Sequence, residues 1–451
     1  MDGGKIIKDA IHGHIEFPAL CVRIIDTPQF QRLRFLKQLG TASFVYPAAS
    51  HNRFEHCLGT CYLAGKMVNA LRSRQEELGI NETDVLCVQI AGLCHDLGHG
   101  AFSHVFETFM KESKESFEHE KMSCKMFDHL LRENNIMQDF ENAGLGEKDV
   151  QFIKDLILGA KPSEEKNGRT AAKAFLFEIV NNRRTGADVD KWDYFLRDCH
   201  GLGINVTFEY ERLIHFSRAA EVEGEWQIVF KEAEAENLYE MNHARTMLHK
   251  KAYQHRVVKI IDRMLVDALL KADDSITYKG ENGQSFKLSK VCNDVAAYTY
   301  LTDDVMYRIL RMPPGSSRLE EAKLILKNIL ARNLYSYVGE FSEADVNDLE
   351  KTKQTLKNRF GAECLEKKVK FGSKKGNPLE EQYFYRRGNE KFITLRAEQV
   401  SKMLPREFED VKYYVITKDF RAEQDTPAKI KKIKEFLEVQ SPLFWVICIN
   451  R

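Results

Sequence analysis

Residues 85–97 most limit what this chain can become. They read Val-Leu-Cys-Val-Gln-Ile-Ala-Gly-Leu-Cys-His-Asp-Leu, apolar around almost every face of a helix. Such a helix must be buried on all sides. The apolar part is about half the ~20 residues that a bilayer crossing needs, so the burying medium is protein. The run ends on the pair His95-Asp96, followed by Gly98 and Gly100. Polar, titratable groups are therefore expected at the rim of a core, where a helix stops.

Helical periodicity dominates the rest. Residues 55–71 recur in apolar character at three-to-four spacing. Residues 175–182 and 188–199 predict two more helices, broken at Thr185-Gly186, and residues 238–270 predict one long helix or two. Strand signals are short: residues 225–231 alternate around Trp226, Ile228 and Phe230, and residues 276–288 carry Gly280-Glu281-Asn282-Gly283 as a hairpin turn. Residues 160–171, with Pro162 and Gly168, read as a surface loop. Composition shifts near Glu340. Residues 342–353 are charged and read as a connector, residues 367–375 are basic, and residues 383–395 and 412–418 read as strands with a helix between them. The expected fold is mainly α: a helical catalytic core with short β-hairpins over residues 1–340, then a smaller mixed α/β lobe over residues 341–451.

Bulk charge excludes some functions. Lys+Arg and Asp+Glu are equal at 67 each, so any nucleic-acid binding must come from a local patch such as residues 367–375, which leaves a single-stranded nucleic-acid partner open. No Gly-rich phosphate loop of the Walker type is present, which argues against an ATPase or GTPase. The ten cysteines form no Cys-x-x-Cys pair, and most read as small buried hydrophobes in a reducing compartment. With no apolar leader at the amino terminus, the expected location is intracellular, in nucleus or cytoplasm, with no membrane partner.

The histidines are uneven: eight of fourteen lie in the first 119 residues. Among them stand His56, the pair His95-Asp96, His99, His104 and His119, while Asp190 comes later in Asp188-Val189-Asp190-Lys191-Trp192-Asp193-Tyr194. Imidazole and carboxylate together suit iron, zinc or manganese better than calcium, which prefers oxygen alone. Adjacent residues on a helix diverge by about 100°, so His95 and Asp96 can reach one ion only near a helix end. Two stripes carry further polar groups at i, i+4, i+8: Asp190, Tyr194 and Asp198 on one helix, Arg245, His249 and Tyr253 on another. Each stripe taken alone fits a solvated face or a helix–helix ion pair equally well.

The segments Ser50-His51-Asn52-Arg53-Phe54-Glu55-His56, Gly92-Leu93-Cys94-His95-Asp96-Leu97-Gly98-His99-Gly100 and Asp188-Val189-Asp190-Lys191-Trp192-Asp193-Tyr194 resemble the HD-domain superfamily. Within it they resemble the deoxynucleoside triphosphate triphosphohydrolases that carry a sterile-alpha-motif domain. The likeness runs from Lys5 to about Gly339, more weakly beyond, and covers the catalytic core rather than the sterile-alpha-motif domain. It implies His56, His95, Asp96 and Asp190 as ligands of a divalent metal (Fe, Zn or Mn). It implies His104 and His119 as catalytic histidines with His99 close by, and Glu107 as their carboxylate partner where the family has Asp. Arg53, Lys191 and Arg245 would grip phosphates that arrive with Mg2+. Gln38 and Asp198 would read the 3′-hydroxyl. Leu39, Tyr194, His249, Tyr253 and Gln254 would line the pocket, with Tyr253 and Leu39 where a 2′-hydroxyl would sit.

The resemblance also implies a regulatory site for GTP at Lys5, Ile6, Asp26, Gln31, Arg34 and Arg332. A neighbouring dNTP site would use Lys8, Arg212, Lys231, His255 and Arg256, in a homo-oligomer that passes from dimer to tetramer. That second site departs from the family: Ala233 and Ser336 stand where it has Lys, Lys8 where it has Asn, and Gly376 aligns loosely with a further Lys. The plain alternative, exposed charges on a first helix, suits Arg32 and Lys37. The expected function is hydrolysis of deoxynucleoside triphosphates to deoxynucleoside and tripolyphosphate. The alternatives are an HD phosphohydrolase for another nucleotide and a nucleotide-gated nucleic-acid-binding protein with a vestigial HD site.

Overall fold

The computed structural model describes residues 3–440, except 373–375, 389–390, 402–404, 406 and 422. In chain order its main elements are β1 (Lys5–Asp9), β2 (Gly13–Phe17), α1 (Arg53–Arg74), α2 (Glu82–Cys94), α3 (His104–Glu112), α4 (His119–Glu133), α5 (Glu147–Leu158) and α6 (Val189–Leu202). There follow β3 (Ser217–Val222), β4 (Glu225–Lys231), α7 (Ala235–Leu248), α8 (Arg256–Ala272), β5 (Thr277–Lys279), β6 (Ser285–Lys287), α9 (Ser317–Leu330) and β7 (Tyr335–Ser342). The chain continues through α10 (Leu349–Phe360), β8 (Ala362–Lys370), β9 (Phe384–Tyr385), β10 (Glu409–Phe420) and α11 (Thr426–Gln440). The architecture is mainly α with small sheets.

Local sequence explains where the central helices begin. Asn52 caps α1 in a reciprocal box with Glu55, Asn81 caps α2 in the same way with Asp84, and the Asp188 carboxylate accepts from Lys191 N at the start of α6. α2 packs along α1, and α6 packs on α1 from another side. Small residues permit the close approach: a Cβ on Gly92 would lie 3.0 Å from Thr60 O, and one on Gly59 would lie 1.8 Å from Asp193 Oδ1. α2 is buried as its composition requires, with Val88, Ile90, Ala91, Leu93 and Cys94 all at 0% exposure.

Among the described residues, four small sheets decorate the helices, ordered β1-β2, β3-β4-β9, β5-β6 and β7-β10-β8. All pairings are antiparallel except β4 with β9. A second, smaller hydrophobic cluster joins Val338, Phe341, Leu356, Ala362, Tyr413, Val415, Ile433 and Leu437, while Leu379, Phe384, Leu395 and Ile416 belong to the main core. β7 runs through residue 340, so a division there, which we keep as a proposal for the two lobes, passes within a strand. No helix among the described residues is long and apolar enough to cross a membrane.

Several sequence expectations need correction. Residues 175–182 are mostly a 3-10 turn (Ala171–Leu176) and one α turn (Phe177–Val180), too few residues for an independent helix. Residues 238–270, by contrast, meet the second of their two expected forms: two helices, separated by a π turn at His249–Tyr253. The charged connector at 342–353 already enters α10, which Asp348 caps. The strand expected over 383–395 reduces to Phe384–Tyr385 and a bridge from Phe384 to Ile393, and the helix after it is a single turn, Ala397–Val400. Of the basic stretch 367–375, residues 373–375 lie outside the described residues.

The largest error is Arg32. It is 3% exposed, and its guanidinium donates to the carbonyls of Leu301 (2.9 Å), Leu97 (3.3 Å) and His99 (2.8 Å). Three carbonyls that would otherwise lack partners share one cation, a distribution invisible in linear sequence. Lys37 is half-buried, its ammonium donating to Ser43 Oγ.

Gly98 sits where the segment after α2 presses on α4: a Cβ there would lie 2.2 Å from both His119 O and Ser123 N. These are backbone atoms that cannot rotate away. Gly98→Ala is expected to destabilise the fold by about 1–3 kcal/mol in chemical denaturation. A change below about 0.5 kcal/mol, the range of neutral surface substitutions, would show that α4 can shift freely.

Candidate metal centre and nucleotide pocket

α1, α2 and α6 each deliver one imidazole or carboxylate to a common point. His56 Nε2 lies 3.1 Å from His95 Nε2 and 3.0 Å from Asp190 Oδ1, and His95 Nε2 lies 3.2 Å from Asp190 Oδ1. Asp96 completes the group, its Oδ1 3.5 Å from His95 Nε2 and its Oδ2 3.6 Å from His56 Nε2. His95 is the C-cap of α2, which lets Asp96 turn back toward the same point despite being adjacent in sequence.

The outer nitrogens of both rings are already committed. His95 Nδ1 lies 2.8 Å from Gly92 O, an oxygen that can only accept, so Nδ1 carries the hydrogen. His56 Nδ1 lies 2.7 Å from Asp193 Oδ2, and Arg197 beside that carboxylate holds it ionised. Both Nε2 lone pairs therefore face each other and a carboxylate, an arrangement stable only around positive charge. Burial presses His56 down, yet its hydrogen bonds to the carboxylates of Asp190 and Asp193 carry its pKa up to about 10. Burial likewise disfavours the Asp190 carboxylate, but the two histidines hold it well below the usual range. Ligand edges in a four- to six-coordinate site with bonds of ~2.1 Å are about 3.0–3.4 Å, so these residues fit a divalent cation.

A second group adjoins the first. His99 Nε2 lies 3.2 Å from Asp96 Oδ1, and the His99 ring stacks on His119 at 4.1 Å. His119 Nδ1 lies 2.6 Å from Glu107 Oε1 and His104 Nδ1 3.2 Å from Glu107 Oε2, so one carboxylate bridges two imidazoles. The side chains of His119 and Glu107 are partly exposed, whereas that of His104 is 76% exposed. Burial lowers His119, but the Glu107 carboxylate outweighs it and raises the pKa. His99, buried and facing Arg53 and His119, is held neutral.

The turn between α2 and α3 is strained and braced. Phe102 and Ser103 both have φ of 56°, which non-glycine residues seldom adopt. Asp303 accepts from Phe102 N at 2.6 Å and from Lys37 N at 2.9 Å, while Ser103 Oγ donates to Lys37 O and accepts from Arg53 Nε. Burial raises the Asp303 pKa to about 6. Gly40 allows this contact, since a Cβ there would lie 2.7 Å from Phe102 O.

A cavity of about 920 Å³ opens beside the metal group. Of the sequence-derived candidates it is lined by Gln38, Leu39, Arg53, His56, Asp96, His99, His104, His119, Asp190, Tyr194, Asp198, Arg245, His249, Tyr253 and Gln254. The two helical stripes thus face one space. Tyr253 OH bonds Asp198 Oδ2, and His51 Nε2 lies 2.7 Å from Asp198 Oδ1. Among the described residues, six buried atoms of lining side chains have no partner: Gln38 Oε1, His99 Nδ1, Arg245 Nε, His249 Nδ1, Gln254 Oε1 and Arg263 Nε. Each such atom costs about 1–3 kcal/mol unless a ligand or water meets it, which marks the cavity as built for a polar guest. Burial and Arg245 press His249 down to about 3, so it meets that guest neutral.

Other candidates lie apart. Lys191 pairs with Asp188 at 2.7 Å and is not on the lining, whereas Arg53 is on the lining but already bound to Asp96. Lys5, Ile6, Lys8, Asp26 and Arg34 are exposed, and Arg34 Nε donates to Gln31 Oε1 at 2.7 Å. Arg332 lies elsewhere in the described contacts, donating to Phe44 O at 2.8 Å. Arg212 pairs with Glu234, Lys231 stands 4.8 Å from the Phe216 ring, His255 caps α8 and Arg256 lies 4.5 Å from the Tyr337 ring.

Sequence reasoning missed Asp193, His51, Asp303 and Arg32 as parts of this site. Asp193 had a signal: a carboxylate three residues after Asp190, on the face of α6 that also carries Val189 and Trp192, is too expensive to bury without a partner. Asp303 and Arg32 had none, because their partners are backbone groups from distant segments.

Comparison with known proteins agrees with this geometry. Residues 53–161 match the HD domain model. The deoxynucleoside triphosphate triphosphohydrolase SAMHD1 of Homo sapiens is 46% identical over 439 residues, covering 90% of this chain and 69% of the relative. That of Danio rerio is 44% identical, with 90% and 69% covered. The SAMHD1 homolog of Dictyostelium discoideum is 36% identical, with 98% and 83% covered.

Because Glu107 raises the His119 pKa, wild type keeps its protonated imidazole to higher pH than a variant lacking that carboxylate. Glu107→Gln is expected to move the alkaline limb of the pH–rate profile toward lower pH and to lower kcat by about 10²–10⁴-fold. An unmoved alkaline limb would remove His119 as the titrating acid.

Proposed function

The chain belongs to the HD-domain deoxynucleoside triphosphate triphosphohydrolase family, and from that premise we propose how its residues carry out the reaction. It hydrolyses deoxynucleoside triphosphates to deoxynucleoside and tripolyphosphate. The observation that carries the reading is the convergence of His56, His95, Asp96 and Asp190 on the floor of a cavity with unpartnered polar walls. His56, His95, Asp96 and Asp190 would hold a divalent metal, Fe, Zn or Mn by the donor set, which when bound would supply Lewis acidity toward water and the α-phosphoryl oxygen.

The chain's own groups then have these roles. Water adds to the α-phosphorus, the bond to O5′ breaks, and O5′ leaves with a proton donated by His119. Glu107 keeps that imidazole protonated, and His104 shares the same carboxylate. Arg53 and Arg245 hold phosphate oxygens, with Lys191 joining them if it leaves Asp188, and Mg2+ accompanies the triphosphate. Gln38 and Asp198 bond the 3′-hydroxyl. Tyr253, fixed by its bond to Asp198, and Leu39 occupy the space a 2′-hydroxyl would need.

Regulation is part of the proposal. GTP binds at Lys5, Ile6, Asp26, Gln31 and Arg34, with Arg332 from a distant segment, and promotes a step from dimer to tetramer. The adjoining dNTP site at Lys8, Arg212, Lys231, His255 and Arg256 lacks the cations that Ala233 and Ser336 replace. Each lost charge-assisted bond is worth about 1.5–3 kcal/mol when well formed, so GTP carries more of the control here.

The reaction is tested by incubating the protein with each dNTP, with and without GTP. Tripolyphosphate is expected, and its absence under all conditions overturns the reading. His95→Ala and Asp96→Ala are each expected to abolish turnover and lower bound metal together in elemental analysis. Full activity in Asp96→Ala would exclude it from the centre. For sugar selectivity, Tyr253→Ala is expected to admit ATP while weakening dATP binding. Equal rates on ATP and dATP in wild type would defeat the assignment.

A further inference from the structure

In the hairpin β1–β2, β1 is mostly exposed while Ile15 and Phe17 of β2 reach the core, and two side chains at the turn end point inward. Lys5, Ile6 and Lys8 face solvent, Ile6 with 65% exposure, whereas Asp9 is buried and the His12 side chain has 0% exposure. Asp9 shapes the turn: its Oδ1 accepts from Ile11 N and His12 N, both at 2.8 Å, and its Oδ2 accepts from Arg197 Nη1 at 2.9 Å. The turn then aims His12 inward. His12 Nε2 lies 2.7 Å from Asp193 Oδ1, and the other oxygen of that carboxylate lies 2.7 Å from His56 Nδ1.

This chain of contacts has little freedom. Arg197 also holds Asp193, with Nε and Nη2 at 3.0 and 2.9 Å. Gly59 presses on it from α1, leaving no space for even a methyl group. The His12 ring lies 5.4 Å from Tyr62 and 5.7 Å from Tyr210, and its Nδ1 has no partner. The bond to Asp193 is therefore the polar tie that holds this ring. Asp193 in turn sets which nitrogen of His56 carries hydrogen and which presents a lone pair to the metal.

We propose that His12 is a positioning residue for the metal ligand His56, acting through Asp193, and that the hairpin turn thereby couples strand β1 to the metal centre. The coupling half rests on the reading of β1 as the guanine-nucleotide strand; the positioning half does not. A ligand that orders β1 would order Asp9 and His12 with it. Linkage then requires that such a ligand and the metal each tighten the binding of the other. Groups that orient a metal-bound imidazole typically change metal affinity or activity by about 10–100-fold when removed.

The test uses the full chain loaded with Mn2+, diluted into excess chelator, with retained metal followed by elemental analysis. His12→Phe keeps the ring volume against Tyr62 and Tyr210 but removes the donor, and His12→Gln restores a donor. His14→Ala, on the exposed side of the same hairpin, controls for hairpin damage, and thermal melting verifies that each variant is folded. His12→Phe is expected to lose Mn2+ about 10–100-fold faster than wild type and to lower kcat with little change in KM for dATP. His12→Gln is expected to recover most of both, and His14→Ala to match wild type. Wild-type metal retention in His12→Phe, or equal loss in His12→Phe and His12→Gln, overturns the positioning role.

Adding GTP is expected to slow Mn2+ loss in wild type and not in His12→Phe, although equilibrium dialysis finds GTP bound to both. GTP that binds without slowing loss in wild type, or that slows it equally in both, overturns the coupling. If wild type binds no GTP, the guanine-site reading fails and the coupling with it, while the nucleotide-free comparison still decides the role of His12.

Discussion

Two imidazole nitrogens 3.1 Å apart, each with its hydrogen committed to the far side of its ring, repel unless positive charge lies between them. The rest of this structure answers that constraint. Asp190 and Asp96 supply the negative edges, so the donor set fits a divalent cation. Asp193 is the hidden member. It does not itself line the cavity, yet its carboxylate, held ionised by Arg197, decides the tautomer of the lining residue His56.

Burying so many charges needs close helices and prepaid partners. The small residues of α1 and α2 bring the backbones near enough for side chains from three helices to meet. Around them, several formal charges find an opposite: Arg53 with Asp96, Arg197 with Asp9 and Asp193, Lys191 with Asp188. Arg32 gathers the carbonyls of Leu97 and His99, and Asp303 pins the amides of Lys37 and Phe102. The strained pair Phe102–Ser103 survives only because these braces over-determine it. That turn delivers His104, so rigidity of the scaffold becomes placement of the catalytic edge.

The polar pocket shows a different economy. Its walls leave Gln38, Arg245, His249 and Gln254 partly unsatisfied, which weakens the empty protein and rewards a polar guest. The π turn at His249–Tyr253 has the same logic. A continuous helix would have kept its backbone bonds regular, whereas the wider turn accommodates His249 and Tyr253 on one side with their rings 5.0 Å apart.

Much of this was legible in the chain. An all-round apolar helix ending in His95-Asp96-x-Gly98 required a buried core with a polar rim, and the i, i+4, i+8 stripes placed Asp190, Tyr194, Asp198, Arg245, His249 and Tyr253 on helical faces. These features are local, governed by periodicity and by the few residues around a helix end. What only the tertiary structure decided were pairings between side chains and distant partners. The exposed-looking Arg32 is buried because its partners are backbone carbonyls, which no sequence displays. The stripes face one cavity because α6 and α7 pack together. His12 reaches His56 only through Asp193, across 181 and then 137 residues of sequence. Such contacts depend on where whole elements pack, and that is set by the shared core rather than by any local pattern.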